Sequence, residues 1–117
     1  MKFTASTVLL ALAAFSPLAS AAQCSRTQDP DPSTGSGAQT YHYTVTATGV
    51  DDIPGRCGGL WDNLKRFGVC VASRTNCSGS GGRLSWSFTA TVGCNGGMVE
   101  STWWEATRNN FGSIDCP

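Results

Sequence analysis

Two stretches of the chain alternate strictly between apolar and polar residues. Over 41–48, Tyr41, Tyr43, Val45 and Ala47 alternate with His42, Thr44, Thr46 and Thr48. Over 84–92, Leu84, Trp86, Phe88, Ala90 and Val92 alternate with Ser85, Ser87, Thr89 and Thr91. A period of two in aromatic and β-branched residues predicts strands with one face on a core and one in water. The register puts Trp86, Phe88 and Val45 on one buried face and leaves Ser87 and Thr89 exposed.

Elsewhere the period is helical. Leu60, Leu64 and Phe67 predict a short helix over 60–67 with Gly68 as its stop, and Asp51–Gly59, rich in Gly and holding Pro54, reads as a loop. Val99, Thr102, Trp103 and Ala106 lie at i, i+3, i+4 and i+7, behind Asn95 as a cap and ahead of Gly112. Val69–Ser73 reads as a second strand, Cys77–Gly82 as a turn and Ser113–Cys116 as a short last strand. The order strand, helix, strand, strand, helix, strand predicts an α+β two-layer sandwich. It is a split βαβ, ferredoxin-like antiparallel sheet with two helices on one face.

The N-terminus changes the compartment. Met1-Lys2 precedes an apolar run that ends in Leu18-Ala19-Ser20-Ala21, the layout of a secretory signal peptide over 1–21. Removing it from the 117 residues leaves 96, enough for one domain. Residues 22–40, rich in Pro, Ser and Gly, read as a flexible, extended arm, and 41–117 as a single disulfide-rich domain. The even set Cys24, Cys57, Cys70, Cys77, Cys94 and Cys116 reads as a disulfide framework of a small extracellular protein.

Pairing follows from the expected fold. Cys70 and Cys77 on one extended segment would stand about 23 Å apart, too far for a bond. With the first and third strands taken as parallel neighbours, both helices start at the same end of the sheet. That predicts Cys57–Cys94, with Cys24 joined to Cys70, Cys77 or Cys116.

A strand ending Thr91-Val92-Gly93-Cys94, then the aromatic-rich helix Ser101-Thr102-Trp103-Trp104-Glu105-Ala106 and a later Cys116, resembles the alpha/beta-sandwich killer toxins of smut fungi. Small secreted fungal effectors share that fold. The resemblance spans roughly residues 41–116. It implies a fungal, cysteine-rich, non-enzymatic protein acting on a host, in virulence, or on a competing microbe. It brings no catalytic motif to transfer onto these positions.

Charge and chemistry narrow the partners. Eight Lys and Arg balance eight Asp and Glu, so the basic footprint of a nucleic-acid binder is missing. No second apolar run long enough to span a membrane follows the leader. Enzyme chemistry would need His42 beside a carboxylate such as Glu100, Glu105 or Asp62. The expected fold sets His42 on the open sheet face and the carboxylates on the helices, so no catalytic site, cofactor or metal site is predicted. No Cys-x-x-Cys occurs, and oxidised cysteines do not ligate metal. Lys65-Arg66 is a dibasic pair, read as a solvated helix face. Asn76-Cys77-Ser78 matches a glycosylation sequon, though its central cysteine makes it poor and a disulfide is expected to bury it.

Trp61, Trp86 and Trp103 fall on core positions. Trp104 lies one step off that stripe, covering the helix edge or exposed for contact, and with Arg108 at i+4 it is the candidate partner-binding patch. The prediction is a secreted monomer with a protein or cell-wall glycan as target. The rivals to an effector are an extracellular glycan-binding module and a small secreted ribonuclease.

Overall fold

The computed structural model describes residues 22–30 and 39–117. The proposed signal peptide lies outside the described residues, as does the middle of the expected arm. The strands are β1 (Ala22–Pro30), β2 (Gln39–Ala47), β3 (Ser73–Ser80) and β4 (Arg83–Thr91). The helices are α1 (Ile53–Leu64) and α2 (Gly96–Thr107). They form a four-stranded sheet in the order β1-β2-β4-β3, every neighbouring pair antiparallel, with α1 and α2 packed on one face.

The two alternating stretches are the sheet centre. β2 and β4 pair with Val45 opposite Trp86 and Tyr43 opposite Phe88, and all four side chains are fully buried. Leu60 and Leu64 of α1 and Val99 and Trp103 of α2 close the core from above. Trp61 stands edge-on to Trp86, with ring centres 5.9 Å apart, a favoured aromatic geometry. The polar face departs from expectation at two positions, Ser87 being half-buried rather than exposed. Thr89 is buried rather than exposed, because it sits mid-sheet and its Oγ1 lies 2.7 Å from His42 Nδ1.

The edges differ from the expected order. Ala22–Pro30 is extended, as the arm was expected to be, but it is paired along β2 as an edge strand. The expected last strand at Ser113–Cys116 does not form: this stretch is irregular and is bonded to β1 through Cys24–Cys116. The ferredoxin-like order is therefore not met as a whole. The second expected strand, Val69–Ser73, is shifted downstream to Ser73–Ser80, and the expected turn at Cys77–Gly82 shrinks to Gly81-Gly82. Ser80 pairs with Arg83, and both glycines have positive φ (59° and 79°), which a two-residue hairpin turn requires.

α1 begins seven residues before the expected start and ends at Leu64. Pro54 suits a first helical turn, and Asp52 caps it by accepting from the Gly55 N–H. One glycine of this segment serves packing. Gly59 faces α2, where an added Cβ would lie 3.8 Å from Ala106 Cβ. α2 follows its predicted cap closely, with Asn95 Oδ1 accepting from the Met98 N–H at 3.0 Å.

Three disulfides close the domain, Cys24–Cys116, Cys57–Cys77 and Cys70–Cys94, and no cysteine is free. The predicted Cys57–Cys94 bond is wrong for a topological reason. β2 and β4 are antiparallel, so the chain leaves β2 beside Leu84 but leaves β4 beside Thr40, at opposite ends of the sheet. Cys57, early in α1, therefore reaches Cys77, which shares the helix-facing side of β3 with Gly79 under Ile53. Cys94 meets Cys70 in the loop after α1. Intramolecular disulfides on this scale are typical of extracellular proteins.

Candidate binding surface

The segment between α1 and β3 carries the largest departure from a polar exterior. Val71 is 78% exposed, and Val69 and Val92 are each about half exposed. They flank the Cys70–Cys94 bond: a Cβ built on Gly93, next to Val92, would stand 3.8 Å from Val69 Cβ. Val71 borders an open groove of about 530 Å³, walled by Trp61, Leu64, Phe67 and Ala72. Lys65, where α1 ends, is the titratable side chain in its lining.

This placement has a backbone cause. Cys70 must turn inward to reach Cys94 and is buried, so its neighbours on either side turn outward. Trp61 makes a T-shaped contact with Trp86 and also lines the groove. A small domain gains most by burying its valines. Three exposed valines around the Cys70–Cys94 bond, one of them bordering an aromatic groove, therefore mark a surface suited to contact.

The candidate patch on α2, Trp104 with Arg108, does not line this groove. Trp104 is 51% exposed, at the border of a smaller cleft of about 260 Å³ with Glu100, Ser113 and Ile114. Arg108 is exposed and ends α2 in a left-handed conformation (φ 54°), donating its N–H to Trp104 O. Among the described residues, the cation–π contacts lie at other pairs, Arg26 over Tyr41 at 3.9 Å and Arg56 over Phe111 at 4.9 Å.

The residues weighed for enzyme chemistry are not brought together. His42 is on the open sheet face against Thr89, whereas Asp62, Glu100 and Glu105 belong to the helical layer. Glu100 accepts from the Cys116 backbone N–H at 2.7 Å and so anchors the C-terminal tail. Arg56 pairs with Asp51 at 2.9 Å and, by that hydrogen bond and its charge, lowers the Asp51 carboxyl below its ordinary range. Among the described residues, no three His, Cys, Asp or Glu cluster as a metal site would need, and no helix is long and apolar enough to cross a membrane.

Comparison with known proteins returns no matching family model, no matching curated protein and no matching solved structure.

The groove was missed because Val69-Cys70-Val71-Ala72 reads as an ordinary buried strand. The signal that could have found it is Cys70 itself, since one inward cysteine in an irregular segment forces its neighbours out.

Proposed function

We propose that this is a secreted, non-enzymatic protein of the fungal effector or killer-toxin-like type, acting by docking on a protein of a host or competing microbe. The observation that carries the reading is the exposure of Val71, at 78%, beside the Trp61–Phe67 groove. The groove has an apolar wall and a cationic end at Lys65, a match for an apolar segment carrying a carboxylate. The three disulfides support an oxidising compartment, and the leader-like N-terminus supports export to it. The likeness to killer toxins is supported by one further feature. β2 and β3 run parallel on either side of β4 and are joined by α1, the crossover of a split βαβ unit.

The test is a comparison of three activities of the purified, oxidised protein. Added to cells of candidate hosts and competitors, it slows growth or triggers a response. It does not sediment with insoluble wall polysaccharide, and it leaves RNA uncut. Sedimentation that is lost in Trp104→Ala would establish the glycan module instead, and RNA cleavage lost in His42→Ala would establish the ribonuclease.

A further inference from the structure

Two things count against the sequon Asn76-Cys77-Ser78, its central cysteine and the burial expected from a disulfide, and the structure removes the second. β3 alternates, so Cys77 turns toward α1 and bonds Cys57, while Asn76 and Ser78 both turn to the opposite, open face. Both are exposed, with Asn76 Nδ2 3.5 Å from Ser78 Oγ. Their partners across β4 are Ser87 and Ser85, short side chains that leave room above the sheet. We infer that Asn76 is an N-glycosylation site, an inference that rests on the chain being secreted.

The reaction needs a lipid-linked oligosaccharide pyrophosphate as donor. Asn76 Nδ2 forms a bond to the anomeric carbon, the carbon–oxygen bond to pyrophosphate breaks, the amide loses one proton, and the lipid pyrophosphate leaves. The folded domain accommodates the product. The glycan leaves from an exposed position on the open face of the outermost strand, next to Thr75 of the groove lining, and the packed face of the sheet is untouched. It also has a physical use. β3 is an edge strand whose outer side is a template for pairing with another sheet, and a bulky polar substituent beside that edge blocks such pairing.

Timing sets the occupancy. The transferase acts on a sequon that has not yet folded into a strand. Cys57 precedes Cys77 by 20 residues, so it is translocated first and can capture Cys77 as it emerges. Closing that bond competes with transfer to the adjacent Asn76.

The experiment expresses the full chain in a eukaryotic secreting cell and measures the intact mass of the secreted protein before and after an amidase that removes N-glycans. The expected result is a glycosylated fraction, with Asn76 converted to Asp on release. Asn76→Gln and Ser78→Ala abolish it, and Cys57→Ser raises the occupied fraction severalfold. Secreted protein with only the bare polypeptide mass, in wild type and in Cys57→Ser alike, overturns the assignment. Protein retained in the cytosol overturns the secretion reading, and the site with it. The two failures are told apart by where the protein is found.

Discussion

The replacement of Cys24 and Cys116 by serine tests how the N-terminal strand is held. This bridge spans a sequence separation of 92, against 20 and 24 for the other two. A disulfide stabilises largely by removing loop entropy from the unfolded chain, so the longest loop contributes most. The other bridges remain closed in the variant and shorten the path from Cys24 to Cys116 to about 60 residues. The expected loss is then about 4 kcal/mol, against about 3.3 kcal/mol for Cys57→Ser/Cys77→Ser or Cys70→Ser/Cys94→Ser. The structure adds a local signature. β1 is attached to the sheet along β2 alone, and among its described hydrophobic residues Ala22 and Cys24 pack on the core. Without the staple, β1 should open well before the centre of the sheet. Urea unfolding under non-reducing conditions gives the three losses. Amide exchange gives the signature: fast exchange over 22–30 and slow exchange retained over 84–90. A loss for Cys24→Ser/Cys116→Ser smaller than for the other pairs, or protection of 22–30 unchanged, would refute the reasoning.

Two further outcomes follow from single contacts. Trp103 is fully buried and donates from Nε1 to Gly112 O at 2.8 Å, so Trp103→Phe should cost roughly 2–3 kcal/mol in urea unfolding. Asp51 has a carboxyl pKa lowered by Arg56, so the pair contributes stability above the unfolded pKa, about 3.9, and loses it as pH falls through the lower folded value. Asp51 is exposed, so Asp51→Asn should leave neutral stability nearly unchanged and flatten only the acid limb of a stability–pH profile.

What was legible in the sequence depended on whether a segment buries one whole face. β2 and β4 do, and Tyr43, Val45, Trp86 and Phe88 were readable as a core from alternation alone. α2 was readable because Asn95 and the Val99–Trp103 stripe mark its start and its inner side. β3 was not, because it is an edge strand whose core-facing residues include Cys77 and Gly79, so no apolar alternation survives. β1 was hidden in the same way: its helix-side residues are Ala22, Cys24 and Arg26, the last lying over Tyr41. The early start of α1 was masked by Pro54 and its glycines, which signal a loop unless the Asp52 cap and the approach of Ala106 to Gly59 are known. The disulfide error came from strand direction, which residue patterning does not encode. The candidate surface was half legible. Trp104 is exposed, one of the two alternatives its position on the helix left open, whereas Val71 reads as a strand residue and only the adjacent Cys70 hints that it turns outward.

The most direct test of the docking account is the dose–response of Val71→Asp on a cell type that responds to the wild-type protein. Val71 supports little of the core, being 78% exposed, so the variant should keep its three disulfides and its unfolding midpoint. A buried interface contact replaced by a charge opposing a carboxylate-bearing partner should raise the effective dose at least about tenfold. A dose–response identical to wild type in a natively folded Val71→Asp protein would contradict the claim that this surface carries the activity.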